Sequence, residues 1–144
     1  MKSNLLVLVI FFLGSLTLKA QTPTSEYTFN FYKGTFEQAL KEASKKKKLI
    51  FVDAYTSWCG PCKMMNSNTF KNVPAGEYFN ANFISMKIDM EVGEGPAFAM
   101  KYGVRAYPTL LFINSKGEVI HKVLGFREGP GLVEEGKKAI ALVK

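Results

Sequence analysis

Cysteine is scarce in this chain: 144 residues carry two, Cys59 and Cys62. That excludes a disulfide-dense scaffold, which small secreted domains use when the core is too small. Histidine is scarcer, with His121 alone, so the chain is short of Cys and His ligands for a four-coordinate zinc site. No apolar stretch approaches the ~20 residues of a membrane-spanning helix. No Gly-X-Y period, heptad run or longer repeat is present, which excludes fibres and solenoids. What remains is an ordinary globular mixture, 47% hydrophobic and 22% charged, of a length that suits one domain with its own core.

The longest apolar run, Leu5 to Leu13, follows Lys2 and is broken by Gly14 and Ser15, with Ala20 as the small residue at a cleavage point. This pattern predicts a signal peptide over residues 1–20, a periplasmic or secreted location and a polar leader over 21–26. The formal net charge is +7; removing Lys2 and Lys19, and no acid, leaves 17 basic against 12 acidic side chains, or +5. Export disfavours nucleic acid as a partner and permits disulfides.

The domain is expected over 27–144. Aromatics alternate at Tyr27, Phe29 and Phe31, which predicts a strand over 27–32. Thr35 with Gln38 three residues on predicts a capped helix through Phe36, Ala39, Leu40 and Ala43, closed by Lys45 to Lys48, a solvated cationic end. Leu49–Tyr55 and Phe83–Asp89 are the mostly apolar runs of buried parallel strands. Helices are expected from Cys59 to about Phe70, over Gly95–Tyr102 and over Gly131–Val143. Strands Thr109–Ile113 and Glu118–Leu124 flank the turn Asn114–Gly117. The order β-α-β-α-β-α-β-β-α implies an α/β fold, a central sheet with helices on both faces.

Trp58-Cys59-Gly60-Pro61-Cys62 lies between a buried strand and a helix start. Two intervening residues let one helical turn bring both sulfurs within bridging distance. At the helix N-terminus, free N–H groups and the dipole favour the Cys59 thiolate, the species that attacks disulfides. Cys62, one turn in, is placed to attack the resulting mixed disulfide, and Pro61 stiffens the loop. Haem attachment needs His after the second cysteine, where Lys63 stands. A purely structural bridge would close a tiny loop and constrain little of the unfolded chain. Redox chemistry is the favoured reading, with no cofactor and no metal.

Phe51 to Lys63, together with Lys101-Tyr102-Gly103-Val104-Arg105-Ala106-Tyr107-Pro108-Thr109-Leu110, resembles the thioredoxin family over roughly residues 27–143. The resemblance implies a thioredoxin-like fold with a mixed sheet and a buried carboxylate, Asp53, beneath the cysteines, able to exchange a proton with the resolving thiol. It also implies a cis-proline at Pro108, substrate contacts from Tyr107 and Thr109, and a loop glycine, Gly125, near the same surface. Trp58, with Gly60 and Pro61, would border the docking surface. The chain departs from the family pattern at Ser67, where a helix-kinking proline is usual, so a straighter helix is expected. It departs again at Ser85, the position aligned with a lysine near the buried acid; Lys87 lies two residues on. Met64 and Met65 read as core filling.

The function expected is an exported thiol–disulfide oxidoreductase, a monomer with Cys59 as nucleophile and Cys62 as resolving thiol. Its substrates would be protein disulfides. Gly60-Pro61 resembles the reducing thioredoxins. With no third cysteine, electrons must come from another protein or a small thiol, and a membrane-embedded reductase is the donor implied for an exported reductase. The alternatives are an oxidase or isomerase, or a peptide-binding, chaperone-like module whose cysteines are incidental. His121 is expected to pack or face solvent. Asp89, Glu91 and Glu94 are too loosely spaced for a calcium loop.

Overall fold

A computed structural model describes residues 27–143, so the signal peptide and polar leader lie outside the described residues. Thr35 starts the first helix, α1 (Phe36–Lys46), with the predicted capping box. Its hydroxyl accepts the Gln38 N–H at 3.2 Å, and the Gln38 carboxamide accepts the Thr35 N–H at 2.9 Å. Removing the hydroxyl leaves one helix-end donor to water. Thr35→Ala is therefore expected to cost about 1 kcal/mol, read as a lower urea midpoint at unchanged slope.

The chain then forms β1 (Leu49–Tyr55), α2 (Gly60–Ser67), a 3₁₀ turn (Thr69–Lys71), α3 (Val73–Asn82) and β2 (Phe83–Asp89). It continues through α4 (Gly95–Tyr102), β3 (Thr109–Ile113), β4 (Val119–Leu124) and α5 (Gly129–Ala141). The four strands form one mixed sheet in the order β2-β1-β3-β4, with β1 parallel to β2 and β3 antiparallel to both β1 and β4. Strand side chains alternate faces. Ile50, Val52 and Ala54 pack with Phe36, Ala39 and Ala43 of α1 and Phe98 of α4. Leu49 and Phe51 pack on the opposite face with Met65 of α2, Phe79 of α3 and Leu132 of α5. Helices thus cover both faces, as the alternating pattern implied.

Two expectations fail. Residues 27–32 are not a strand; only Phe31 bridges to Ser85. The backbone groups of the segment are satisfied elsewhere. The Thr28 N–H donates to the Phe70 carbonyl at 2.9 Å, its hydroxyl reaches the carbonyls of Phe70 and Asn72, and Asn80 accepts the Asn30 N–H at 2.8 Å. The alternating aromatics mark core contact rather than a ladder: the Phe29 and Phe31 rings stack 5.7 Å apart, and Phe70 meets both. The observed order is consequently α-β-α-α-β-α-β-β-α.

The helix expected from Cys59 to Phe70 ends at Ser67, and a 3₁₀ turn over Thr69–Lys71 takes the place of its last residues. A further helix, α3, follows. The Asn72 side chain caps it by accepting the Ala75 N–H at 3.0 Å, and Pro74 sits in its first turn. Asn72-Val73-Pro74 reads locally as a break, but it is also a helix start. α3 docks closely because position 76 is glycine: a Cβ there would collide with the Thr28 side chain. The last helix begins at Gly129 and ends at Ala141, two residues earlier than expected at each end. The Asn114–Gly117 turn joins β3 to β4 as predicted, with Asn114 Oδ1 accepting the N–H groups of Lys116 and Glu118.

Candidate active site

The sheet register brings three loops to one end. Ala54 pairs with Thr109, and Thr109 with Leu124. The exit from β1, the entry to β3 and the exit from β4 are therefore adjacent, and they carry Cys59, Pro108 and Gly125.

Leaving β1, the chain turns at Thr56, whose carbonyl accepts the Cys59 N–H at 3.3 Å. Cys59 is the N-cap of α2, with extended backbone (φ −69°, ψ 116°); its sulfur accepts the Cys62 N–H at 3.2 Å. The two cysteines form a disulfide with Cα atoms 5.3 Å apart, and both are buried. Pro61 lies in the first turn, where its missing N–H is no loss. On reduction, the same N–H group and the helix dipole stabilise negative charge on Cys59 Sγ. Gly60 and Pro61 are exposed, and nothing lies within 4 Å of where a Gly60 Cβ would stand, so a partner chain has free approach.

Across from this loop, the Tyr107–Pro108 peptide bond is cis. The Tyr107 ring meets the Trp58 ring edge-to-face at 5.8 Å, which joins the proline loop to the cysteine loop. The Pro108 carbonyl accepts the Gly125 N–H at 2.8 Å. Gly125 has φ +83°, a conformation that side chains resist. Thr109 is fully buried and its hydroxyl donates to the Ala106 carbonyl at 2.7 Å, so its side chain is turned away from partners. Trp58 is 63% exposed, with its indole N–H anchored on Glu91 Oε1 at 3.0 Å. Glu91 is a site neighbour that sequence reading took only as part of a loose acidic loop. Its contact with Trp58 spans 33 residues, and no local pattern signals it.

Beneath the cysteines' helix, Asp53 is completely buried on β1. The Lys87 ammonium on β2 donates to its Oδ2 at 2.5 Å, while Oδ1 has no partner among the described residues. Burial raises the carboxyl above its ordinary value, and Lys87 works against that rise. Lys87, not position 85, supplies the cation. The parallel register pairs Asp53 with Lys87 and Phe51 with Ser85, so residue 85 stands two places from the acid along the strand.

Two further expectations divide. Met65 is buried, its sulfur accepting the Arg127 N–H at 3.4 Å, whereas Met64 is exposed and fills no core. His121 packs on Phe112 and lies 2.6 Å from Glu135, whose carboxyl it holds below the usual range, on β4 and α5 away from the cysteines. Among the described residues, no cluster of three or more His, Cys, Asp or Glu is arranged to hold a metal ion, and no helix is long and apolar enough to cross a membrane.

A family model for thioredoxin matches residues 28–138. Among solved structures, a protein of Bacteroides thetaiotaomicron described as a disulphide isomerase is 46% identical. It superposes with a TM-score of 0.70, over 79% of this chain and 94% of that one. Thioredoxin H4 of Arabidopsis thaliana is 36% identical over 86 residues, 60% of this chain and 67% of its own. The protein disulfide-isomerase of Triticum aestivum is 31% identical over 99 residues, 69% of this chain but 19% of its own length, so the chain spans about one-fifth of that larger relative. With the family model covering most of its length, the chain belongs to the thioredoxin family of thiol–disulfide oxidoreductases.

Proposed function

We propose that this protein is an exported, monomeric protein-disulfide reductase. The observation that carries the reading is Cys59 as the cap of α2, bridged to Cys62 and facing the cis Tyr107–Pro108 loop. In the reduced protein, Cys59 Sγ attacks one sulfur of a substrate disulfide, forming a mixed disulfide and releasing the other substrate sulfur as a thiolate. Cys62 loses its proton and attacks Cys59 Sγ. The Cys59–Cys62 disulfide forms and the second substrate thiolate leaves. Two electrons have passed to the substrate, whose thiolates take up two protons. Asp53 accepts the Cys62 proton: a carboxylate raised by burial is a stronger base than one in water. Trp58, Gly60, Pro61, Tyr107, Pro108 and Gly125 border the docking surface, with Thr109 contributing only backbone. Export rests on the Lys2 and Leu5–Leu13 pattern. A membrane-embedded dithiol reductase returns the enzyme to its reduced form.

Isomerisation is the second reading, favoured by the 46% identical protein described as an isomerase. The full chain should accelerate insulin reduction by dithiothreitol; no acceleration would leave only peptide binding. Its potential then decides direction. A value near the −270 mV of thioredoxin supports reduction, one near about −180 mV supports isomerisation, and one near about −120 mV supports oxidation.

A further inference from the structure

We infer that Asn66 is a positioning residue for the buried acid: its side-chain carbonyl holds the Lys87 ammonium against Asp53 inside a box of aromatic rings. Lys87 Nζ has two oxygen acceptors, Asp53 Oδ2 at 2.5 Å and Asn66 Oδ1 at 2.8 Å. Its other neighbours are rings, with centroids at 4.5 Å (Tyr55), 4.6 Å (Phe70), 5.5 Å (Phe31) and 6.0 Å (Tyr27). The lysine side chain is only 14% exposed. An ammonium has three donors and little water to satisfy them here, so each oxygen acceptor fixes its direction. The rings hold the cation by their faces but do not choose where it points. Asn66 supplies that choice.

Its place in the chain gives the contact its meaning. Asn66 follows Cys62 by four residues on α2, one turn along the same helix face. One helix therefore presents both the resolving sulfur and the group that steers the counter-charge of the acid. The inference rests on the role proposed for Asp53 in taking the Cys62 proton.

Without the amide, Lys87 loses an acceptor and turns toward water at its exposed edge. Asp53 is then left with burial less opposed. The titratable and charged groups around the acid are Lys87 from β2, Tyr55 from β1, Tyr27 from the N-terminal segment and Cys59 and Cys62 from α2, with Asp89 acting on Tyr55. In the disulfide form the cysteines do not titrate. The test is therefore carboxyl-carbon NMR titration of Asp53 in the oxidised full chain. Asn66→Leu, and Asn66→Ala as the smaller variant, should raise the Asp53 titration by about one pH unit, the size of one hydrogen bond to a charged group. Lys87→Met should raise it as well, and adding Asn66→Leu to Lys87→Met should then shift nothing further. An unchanged titration in both Asn66 variants would overturn the inference, as would a shift that persists without Lys87. The measurement needs no turnover, so it stands or falls separately from the reductase reading.

Discussion

Cys62→Ser turns the protein from a catalyst into a trap. Turnover of insulin disulfides should fall to the rate of dithiothreitol alone, while proteins linked through Cys59 accumulate and are released by excess thiol. The difference between the two cysteines is geometric. Cys59 caps α2, where its sulfur already accepts an N–H group, so its thiolate is stabilised without its partner. It still attacks a substrate when residue 62 is serine. A serine hydroxyl cannot resolve the product, because at neutral pH it is not deprotonated and its oxygen is a poor nucleophile toward disulfide sulfur. Cys59→Ser should abolish both turnover and capture. Non-reducing gels and mass spectrometry of the two variants check this. Equal capture by both would show that either sulfur can attack and overturn the division of roles, and capture by neither would leave the docking surface as a peptide-binding site alone.

Much of this architecture was legible in residues 49–113. The apolar runs Leu49–Tyr55 and Phe83–Asp89 and the stretch Thr109–Ile113 form strands over the predicted bounds, because buried strands have few polar positions and are bounded by polar or helical signals. The Cys59–Cys62 loop and Pro108 were legible as motifs. What escaped reading is long-range. Tyr27 to Tyr32 alternates as a strand would, but Thr28 and Asn30 give their hydrogen bonds to Phe70, Asn72 and Asn80, more than 40 residues away. Helix α3 carries Val73, Ala75 and Tyr78 beside Phe79, with little contrast between faces, so its period is faint. The partner of Asp53 was left open between a missing lysine at position 85 and Lys87 two residues on, because the β1–β2 register, which residue order alone does not carry, decides which residue stands beside the acid.

That register sets up the largest expected stability effect, in Lys87→Met. Asp53 is fully buried, and one carboxylate oxygen lacks a partner. Burial holds its folded pKa above the ordinary 3.8. Between 3.8 and that folded value, the folded protein keeps a proton that the unfolded chain has released, so stability falls as pH rises through the window. Lys87 narrows the window by favouring the carboxylate. Methionine keeps most of the aliphatic volume and removes the charge, so the window extends upward and the loss deepens with pH. Below 3.8 the carboxyl is protonated in both states and the electrostatic part of the penalty disappears. Urea denaturation of the oxidised protein should therefore show a small difference between wild type and variant in acid, growing to about 3 kcal/mol near neutral pH, the usual cost of stranding one member of a buried pair. A difference that stays constant across pH would mean that Lys87 acts through packing against Tyr55 and Phe70 rather than through its charge on Asp53.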